Sequence, residues 1–497
     1  MAIHSAAEEH GKQGIMSTYE PGSTFIQEVE TTVAEKVAVL VCGGGTAGCV
    51  AAIAAARNGA DVLLLERDHF LGGMMTKGNA GLTKYIVHGT DADEQAKIVE
   101  KLRANPAEVQ LVGGIPLEIT HRLLEGKAAM GTAGTGASYV YTDSEAFKIL
   151  LYEMMQEAGV RVVLHSMVCD LLVEGNAVMG VVTQTKAGRL AYLCDYVIDA
   201  TGDGDVAALA GVPFALGVGP GDAVHKQKLA PLGQMQNIGS MFRIGNVDFD
   251  RYIDHLREHP EEFSPQRFGL MTYVEMLEAY AKGEMVIFIG TTPSGRQFQV
   301  YNYPHPGVMI GCISLGGSRN GLDLSELTRA EYDVMIETRD LVAQLRESVP
   351  GFERAFVLDT PKAGVRETRH FRGEYVLDIA DVLTIREFED TIGKGCHPVD
   401  IGPIPDEVEQ LGQRNAWYFN IPYRILVATG CDNLLLAGRC TSATREAAGC
   451  LRPTVPCMIM GQAAGTAAAM LSRSGQAARD VDVQTLRNLL REQGAVL

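Results

Sequence analysis

The pattern of apolar and polar positions is most regular in residues 37–66. An unbroken apolar run with β-branched residues, Val37–Cys42, predicts a buried strand of a parallel sheet. The alanine-rich stretch Ala47–Arg57 predicts a helix, which Asn58-Gly59 ends. A second apolar run, Asp61–Glu66, predicts the next strand. The order strand, helix, strand predicts a βαβ unit, the building block of folds with a parallel sheet.

Beyond this unit the pattern predicts helices first and then short strands. Helices are expected at Ala92–Arg103, Ile115–Glu125 and Ser144–Ala158, the last with Asp143 or Thr142 as its N-cap, and a glycine-rich connector at Gly131–Ser138. A strand follows at Arg161–His165. Alternating stretches split by turn residues then predict a β-meander of three strands, Met167–Glu174, Ala177–Thr185 and Arg189–Leu193. An apolar stretch, Tyr196–Ala200, predicts one more parallel strand.

The middle of the chain has a different pattern. It predicts four strands, Phe242–Asp248, Met285–Ile289, Gln297–Asn302 and Val308–Ser314. It also predicts a long helix, Thr328–Glu347, with Thr328 and Glu331 as a capping box. Two later stretches, Asp378–Phe388 and Trp417–Leu426, are expected to return the chain to the first domain. A last strand at Asn433–Leu436 and a small-residue helix at Gly461–Met470 complete that domain.

Three glycines at the start of the first helix add chemistry to the pattern. Gly43, Gly45 and Gly48 form G-x-G-x-x-G, in which the first glycine allows a tight turn, the second lets the backbone approach a pyrophosphate, and the third lets helix and strand pack closely. Glu66 lies 66 − 43 = 23 residues after the first of them, where an acidic residue binds a ribose hydroxyl. The combination predicts an adenine dinucleotide site rather than a glycine turn without function.

These observations predict an α/β fold class with four parts. The N-terminal arm is residues 1–36, in which Ser23–Val33 alternates weakly, as an edge strand would. A Rossmann-like dinucleotide-binding domain, whose parallel sheet carries the meander, comprises residues 37–210 and 430–475. A smaller α+β substrate or cap domain occupies residues 211–429, and a C-terminal helix residues 476–497.

Composition and charge narrow the classes of partner. The chain has 497 residues, 46% of them hydrophobic, and a formal net charge of −18, which argues against binding to nucleic acid or to an anionic membrane. Neither a membrane span nor a signal peptide is expected, so we expect a cytoplasmic protein. The ten cysteines are scattered without a C-x-x-C pair, which predicts reduced, mostly buried thiols and no metal site.

Five blocks of the sequence resemble one family of flavoproteins. They are VCGGGTAG with Glu66, LGGMMT, VIDATGDGD, GVRETRHFRGEYVL, and LLLAGRCTSATREAAGCLRPTVPCMIMGQAAGTAAA. The chain resembles the FAD-dependent oxidoreductases related to the glutathione reductase and fumarate reductase flavoproteins, in particular their bacterial members. The small-residue helix is then expected to direct its N-terminus at the pyrimidine edge of the flavin.

The resemblance implies FAD as cofactor and a set of contacts to it. The implied contact residues are Gly43, Gly45, Thr46, Ala47, Gly48, Glu66, Arg67, Gly72, Gly73, Met74, Met75, Thr76, Val168, Ala200, Thr201, Gly202, Asp203, Gly438, Arg439, Arg452, Pro453, Val455 and Gly461. The Ser-His-Thr type of element that tethers the flavin in fumarate reductases is absent near Gly78–Thr83, so the FAD is expected to be noncovalent.

Departures from relatives limit the chemistry. Met74-Met75 stand where disulfide reductases carry two cysteines, and no second G-x-G-x-x-G follows. We therefore expect FAD-dependent hydride transfer from a small organic substrate, with dioxygen, a quinone or another carrier as electron acceptor. Reduction of an activated double bond and a role as an electron-transfer subunit stay open as alternatives. The expected partners are thus a small-molecule substrate and an unidentified acceptor, and a homo-oligomer is compatible with the sequence.

The candidate catalytic residues are Tyr303, His305, His397 and Arg445. Histidine can exchange protons near neutral pH, and both histidines lie in polar, loop-like contexts, where a structural role is equally compatible. Related sequences often have histidine at the position of Arg445, which could bind a substrate carboxylate, donate a proton, or form an ion pair with Glu446 or a neighbour. Relatives also often have histidine where Gly402 stands.

A basic cluster follows in the block Gly364–Leu377. Arg366, Arg369, His370 and Arg372 are expected to pack against acidic residues of the dinucleotide domain, with anion binding as the second interpretation.

Overall fold

The computed structural model describes residues 22–83, 97, 100–101, 109–131, 139–219, 233–262, 273–281, 283, 287–292, 295–397, 399–401 and 418–497. Most of the predicted helix Ala92–Arg103 and of the predicted loop Gly131–Ser138 lies outside these residues, as do Trp417 and Gly402. In chain order the strands are β1 (Thr32–Cys42), β2 (Val62–Leu65), β3 (Leu82–Thr83), β4 (Ala129–Gly131), β5 (Tyr139–Thr142), β6 (Arg161–Val163), β7 (Met167–Glu174), β8 (Ala177–Thr185), β9 (Gly188–Asp199), β10 (Phe214–Leu216), β11 (Gly239–Gly245), β12 (Ile287–Thr291), β13 (Gln297–Asn302), β14 (Met309–Ser314), β15 (Phe356–Val357), β16 (Arg369–Phe371), β17 (Thr391–Gly395), β18 (Phe419–Pro422) and β19 (Leu434–Leu436).

The helices that the structure describes are α1 (Thr46–Arg57), α2 (Met74–Lys77), α3 (Gly114–Glu125), α4 (Ser144–Ala158), α5 (Asp205–Leu209), α6 (Phe249–Glu258), α7 (Tyr273–Ala281), α8 (Leu324–Ser348), α9 (Ile379–Leu383), α10 (Arg445–Leu451), α11 (Thr454–Ser474) and α12 (Val483–Glu492). The predicted helix at Ser144–Ala158 is confirmed with the same bounds, and Asp143 is its N-cap, accepting hydrogen bonds from the backbone of Glu145 and Ala146.

The main sheet is parallel at its centre, as the βαβ pattern predicts. Its strand order is β6-β2-β1-β9-β8-β7, with β19 pairing with β9. Alternate residues of β1 are buried on opposite faces: Val39 and Val41 pack with α1, while Leu40 and Cys42 belong to the core on the other side. Because both faces are covered, the strand is apolar along its whole inner half.

The predicted meander is present, but its last strand is longer than expected. The sequence predicts two strands, Arg189–Leu193 and Tyr196–Ala200, whereas the structure has the single strand β9. Its first half pairs antiparallel with β8, and its end, Val197–Asp199, pairs parallel with β19 on the same edge. One strand thus belongs to the meander and to the parallel sheet at once, which no local pattern encodes.

The longest apolar helix, α11, lies against α1 in the core. The sequence predicts a helix at Gly461–Met470, but α11 begins at Thr454, so Gly461 is in its interior. A Cβ atom on Gly461 or Gly465 would lie 2.2 Å from the carbonyl oxygen of Ala47 or 2.0 Å from that of Ala51. The two helices therefore touch backbone to backbone. Among the described residues only α11 is long and apolar enough to cross a membrane, and 89% of its apolar window is buried in the protein.

The Gly465→Ala variant is expected to unfold more easily than the parent protein. A methyl group at this position would overlap the carbonyl oxygen of Ala51, so α11 must move away from α1. Overpacking of this kind costs about 1–3 kcal/mol, and a contact with backbone belongs at the upper end of that range. Denaturant unfolding of the apoprotein measures the loss. Ser474→Ala, at the exposed end of the same helix, is the control and should cost much less, because it removes only two long hydrogen bonds at the helix end; equal stabilities of the two variants would contradict the close contact.

A second sheet has its own hydrophobic core. Its antiparallel order is β12-β13-β14-β11-β15, and residues of α6 and α8 cover it. The predicted strand Phe242–Asp248 is shifted to β11, because Asp248 instead caps α6. The predicted capping box at Thr328 is wrong: α8 begins at Leu324 with Asp323 as its cap. The carboxylate of Glu331 accepts a hydrogen bond from the backbone of Ala363 instead.

The N-terminal end of the described chain also differs from expectation. The predicted edge strand Ser23–Val33 is absent except for its end, since β1 begins at Thr32, inside the predicted arm.

Asp378 caps α9 in a capping box with Asp381. The hairpin of β17 and β18 then leads the chain back to the main core, which Ile392 and Phe419 join.

Candidate functional site

The glycine turn between β1 and α1 is the centre of the site. Gly43 has φ +103°, and a Cβ atom there would lie 2.4 Å from the carbonyl oxygen of Ala200. A Cβ atom on Gly48 would lie 1.8 Å from the carbonyl oxygen of Gly43. Both glycines are therefore required by packing inside the protein. Gly45 is different, because the nearest atom to its Cβ position is the Cα atom of Gly73, 4.0 Å away.

Segments far apart in sequence meet at the start of α1. Gly72 donates a backbone hydrogen bond of 2.8 Å to Gly44, and the Cβ position of Gly73 is 2.9 Å from the Cα atom of Gly45. On another side, the Cβ position of Gly438 is 3.0 Å from the Cβ atom of Ala47. The structure thus brings together three of the blocks that the sequence suggested for one cofactor.

The start of α1 fits a pyrophosphate. Gly45 is the N-cap and has no side chain, so no side chain caps the first N–H groups of the helix, which Thr46, Ala47 and Gly48 contribute. Free N–H groups and the positive end of the helix dipole favour an anion at this place. The open space at Gly45 and these donors together fit the phosphates of a dinucleotide.

Glu66 lies directly under this turn. Its carboxylate is buried, with one oxygen accepting a hydrogen bond from Gly44 (2.6 Å) and the other from Asp68 (2.8 Å). Each carboxylate oxygen can accept a further bond, so a ribose hydroxyl can be held here. Lys77 lies 3.3 Å from Glu66 and also pairs with Asp68, while Arg67 is exposed beside them.

The end of β9 is held by a buried carboxylate, that of Asp199. It accepts hydrogen bonds from the backbone N–H and the hydroxyl of Thr201 and from the backbone of Ala207. Burial raises the pKa of Asp199 to about 6, although these hydrogen bonds lower it. The turn Ala200-Thr201-Gly202 is therefore fixed beside Gly43. The sequence predicted this turn as a cofactor contact but not the carboxylate that shapes it.

Arg439 and Asp203 form an ion pair of 2.6 Å next to this turn. Burial alone would raise the pKa of Asp203, but the guanidinium of Arg439 and a hydrogen bond from Thr368 hold it below its usual value. Arg369 donates to the backbone of Asp203 and to the carboxylate of Asp205. The expected contact between the basic cluster and acidic residues is thus confirmed for Arg369.

The other end of the glycine cradle faces the second sheet. Met74, which begins α2 after the Gly72-Gly73 pair, places its Cε atom 3.1 Å from the Cβ position of Gly364. Gly364 in turn exchanges backbone hydrogen bonds with Gly239 at the start of β11. The hydroxyl of Thr454, the first residue of α11, donates to the backbone of Gly81. Residues of α2, of the second sheet and of the N-terminus of α11 therefore lie at or near this end.

The remaining predicted contacts occupy varied places. Met75 and Thr76 are buried in α2, and Pro453 and Val455 flank the first residue of α11. Val168 lies on β7 opposite Thr183, and Gly461 packs against Ala47, so its closest neighbour is α1. The N-terminus that the sequence assigned to Gly461 is at Thr454 instead, two turns earlier.

Two of the predicted catalytic residues contact α4. The hydroxyl of Tyr303 accepts a hydrogen bond from the backbone of Ser144, and burial raises the pKa of this hydroxyl. His305 is half-exposed and lies 2.6 Å from the carboxylate of Asp143, the N-cap of α4. These contacts connect β13 and the loop after it to α4 and are the structural alternative that the sequence left open for His305.

Arg445 is buried and forms an ion pair with Glu367 of 2.9 Å rather than with Glu446. The same carboxylate accepts hydrogen bonds from His370 (3.0 Å) and from the backbone of Gln236 (2.8 Å). Among the described residues, Nη1 of Arg445 and Nδ1 of His370 have no hydrogen-bond partner. The ion pair connects α10 with the Gly364–Leu377 block; a role of Arg445 toward substrate stays a prediction.

His397 belongs to a different group, which contains Asp400 and Arg452. Burial would raise the pKa of the Asp400 carboxyl, but Arg452, His397 and Arg366 hold it below its usual value. Arg452 donates two hydrogen bonds of 2.6 Å to Asp400, one to the carboxylate and one to the backbone. Sequence reasoning placed Arg366 among packing residues and did not connect it with this group. Within the described part of the chain, no group of His, Cys, Asp or Glu side chains is arranged to hold a metal ion.

A Rossmann-like sheet with a glycine cradle at its centre and a second sheet facing the far end of the cradle are the features of a dinucleotide-binding protein. The profile of the FAD dependent oxidoreductase family matches residues 38–490, and the chain belongs to that family. FAD is therefore its cofactor, and the protein is an FAD-dependent oxidoreductase.

Several solved structures are similar over most of their length. A geranylgeranyl bacteriochlorophyll reductase-like protein from Thermoplasma acidophilum is 15% identical, with 92% of this chain and 84% of that chain covered and a TM-score of 0.43. A p-nitrophenol 4-monooxygenase from Pseudomonas putida is 11% identical, with 92% and 86% covered and a TM-score of 0.44. A flavoprotein/dehydrogenase from Cytophaga hutchinsonii is 13% identical, with 92% and 86% covered and a TM-score of 0.42. Scores this low carry no argument about the activity of this chain.

Proposed function

We propose that this protein oxidises a small organic substrate by transferring a hydride from it to N5 of a noncovalently bound FAD. We further propose that it is a member of the glutathione reductase and fumarate reductase type of flavoprotein. Dioxygen, a quinone or another carrier then accepts the electrons. The observation that carries the proposal is the single nucleotide cradle whose far end, at Met74, faces the second sheet at Gly364 and Gly239. With one cradle in the described residues, substrate and acceptor would use the same flavin in turn.

The residues of the chain have separate parts in this reaction. The N–H groups at the start of α1 would hold the pyrophosphate, and Glu66 would accept a hydrogen bond from a ribose hydroxyl. Met74 and Met75 would lie next to the ring system, and the side chain of Met75 is buried. Bound FAD supplies the hydride acceptor.

A hydride donor must also lose a proton, which requires a nearby base. We propose His397 for this step, because a neutral imidazole accepts protons near neutral pH. Arg445 would act on the site through its ion pair with Glu367, and Tyr303 and His305 would position β13 against α4.

Anaerobic mixing with panels of alcohols, hydroxy acids and saturated carbonyl compounds tests the proposal. One class should bleach the oxidised-flavin absorbance within about a second, since enzymes commonly turn over about ten times per second. Free FAD at the same concentration is the control and should stay oxidised. Reduction by a protein partner alone would contradict the proposal and support an electron-transfer role. If none of these compounds reduces the flavin, but reduced flavin is reoxidised by a compound with an activated double bond, the result would support reduction of that double bond as the reaction.

The partners and the location in the cell follow from the same proposal. A small-molecule substrate and a separate electron acceptor are the proposed partners, without nucleic acid or membrane, and self-association is compatible with it. A cytoplasmic location is proposed because the cysteines are free and mostly buried, as in a reducing compartment.

A further inference from the structure

Arg366 is an arginine whose charge has little compensation. It is partly buried, and its one hydrogen bond to a described residue goes to the neutral amide oxygen of Asn237, at 2.6 Å. No described carboxylate lies within salt-bridge distance of it, unlike Arg369, which pairs with Asp205 at 3.0 Å. Burial, and next the charge of Arg452, lower the pKa of Arg366. Shielding a guanidinium from water without supplying an anion costs free energy, and a bound anion would offset that cost.

The nearest acidic group is already engaged. The charge of Asp400 raises the pKa of Arg366, but the Asp400 carboxylate already accepts a 2.6 Å hydrogen bond from Arg452. The Nε atom of Arg452 is buried and has no hydrogen-bond partner among the described residues. Among the described residues two guanidinium groups therefore have one carboxylate between them, which is an excess of one positive charge. One added negative charge would complete the group.

The position of Arg366 connects it with the flavin end of the cradle. A Cβ atom on Gly239 would lie 2.8 Å from Nη2 of Arg366. Gly239 is hydrogen-bonded to Gly364, whose Cβ position is 3.1 Å from the Cε atom of Met74. Arg452 is two residues before Thr454, where α11 begins. Asn237 is partly exposed and also donates a hydrogen bond to the hydroxyl of Ser314, the last residue of β14.

We propose that Arg366, with Arg452 and Asn237 beside it, binds the carboxylate of a small organic acid substrate. The proposal rests on the proposed function and specifies its substrate class. The planar guanidinium offers parallel N–H donors that match the two oxygens of a carboxylate, and Asn237 orients it. The carboxylate would fix the substrate between the second sheet and the cradle, so that the carbon next to it meets the flavin.

Titration of the holoenzyme with simple acids and their amides tests this assignment. Sodium acetate, succinate and benzoate are compared with acetamide, succinamide and benzamide at constant ionic strength, and the flavin absorbance reports occupancy. At least one acid should change the spectrum saturably, and its amide should not. Arg366→Gln should weaken that acid about 10–100-fold, and Arg366→Lys, which keeps the charge without the fork, should lie between them.

Arg479→Gln is the matched control, because Arg479 forms an exposed ion pair with Asp432. It should leave acid binding unchanged. Equal responses to acid and amide, no response to any acid, or unchanged affinity in Arg366→Gln would each overturn the assignment. FAD content separates the two proposals: a chain that is yellow and reduced by a substrate, but fails these tests, keeps the proposed function and loses the carboxylate site.

Discussion

Replacing Gly45 with alanine is expected to remove tight FAD binding while leaving the apoprotein folded. The new methyl group would meet no atom of the protein closer than 4.0 Å, and Gly45 has φ −72°, which alanine adopts readily. The methyl group would instead occupy the space through which the backbone approaches the pyrophosphate. We expect an affinity for FAD lower by about 100-fold, which corresponds to about 2.7 kcal/mol. Fluorescence titration of the apoprotein with FAD measures it.

The control for this substitution is Gly316→Ala. Gly316 is exposed, has an ordinary φ, and has no atom within 4 Å of its Cβ position, so the change should affect neither FAD affinity nor folding. Full FAD affinity in Gly45→Ala would place the pyrophosphate elsewhere. Loss of folding in Gly45→Ala but not in the control would show that Gly45, like Gly48, is required by packing.

Replacing Glu367 with glutamine is expected to lower the free energy of unfolding by about 3–5 kcal/mol at neutral pH. The carboxylate accepts hydrogen bonds from Arg445, His370 and Gln236, and an amide would present its own N–H group to one of these donors. The buried charge of Arg445 would then lack its anion. The double variant Glu367→Gln/Arg445→Met should recover part of the loss, because it removes that charge.

The effect of Glu367→Gln should also depend on pH. Burial would raise the pKa of Glu367, but His370 and Arg445 hold it below its ordinary value of 4.5. The stabilisation is therefore present above this value and is lost as the pH falls through the lowered pKa of the folded state. Denaturant unfolding near neutral pH and below about pH 4 should show the difference between parent and variant shrinking in acid. Glu374→Gln, which changes an exposed carboxylate, is the control; a difference that is constant with pH would contradict the assigned ion pair.

Much of the fold could be predicted because short-range patterns determine it. Unbroken apolar runs identified β1 and β2, the alanine-rich stretch identified α1, and alternating positions identified the meander, while the glycine spacing identified the turn at α1. These features depend on residues within one turn or one hairpin of each other. The family resemblance extended this to FAD, because several distant blocks each had their own local signature.

The errors have a common physical origin in long-range contacts. The end of β9 continues its strand because β19, more than 230 residues later, supplies a partner, and Thr328 does not cap α8 because Asp323 does so first. For Arg445 the sequence offered a substrate carboxylate, a role as proton donor, or an ion pair with Glu446 or a neighbour, and the tertiary fold pairs it with Glu367. Arg366 looked like one basic residue among four. Only its surroundings, which come from residues 237, 400 and 452, distinguish it.

The two sides of the glycine cradle are synthesised at very different times, because they lie far apart in the sequence. Gly48 and Gly438 are 438 − 48 = 390 residues apart, and α11 must lie on α1 before the turn is enclosed. A ribosome adding about 5–20 residues per second needs roughly 20–80 s to produce that interval. During this time the first βαβ unit has left the ribosome, but the apolar face of α1 lacks its partner. We therefore expect cofactor capture to follow translation of the C-terminal block, and the nascent chain to expose apolar surface until then.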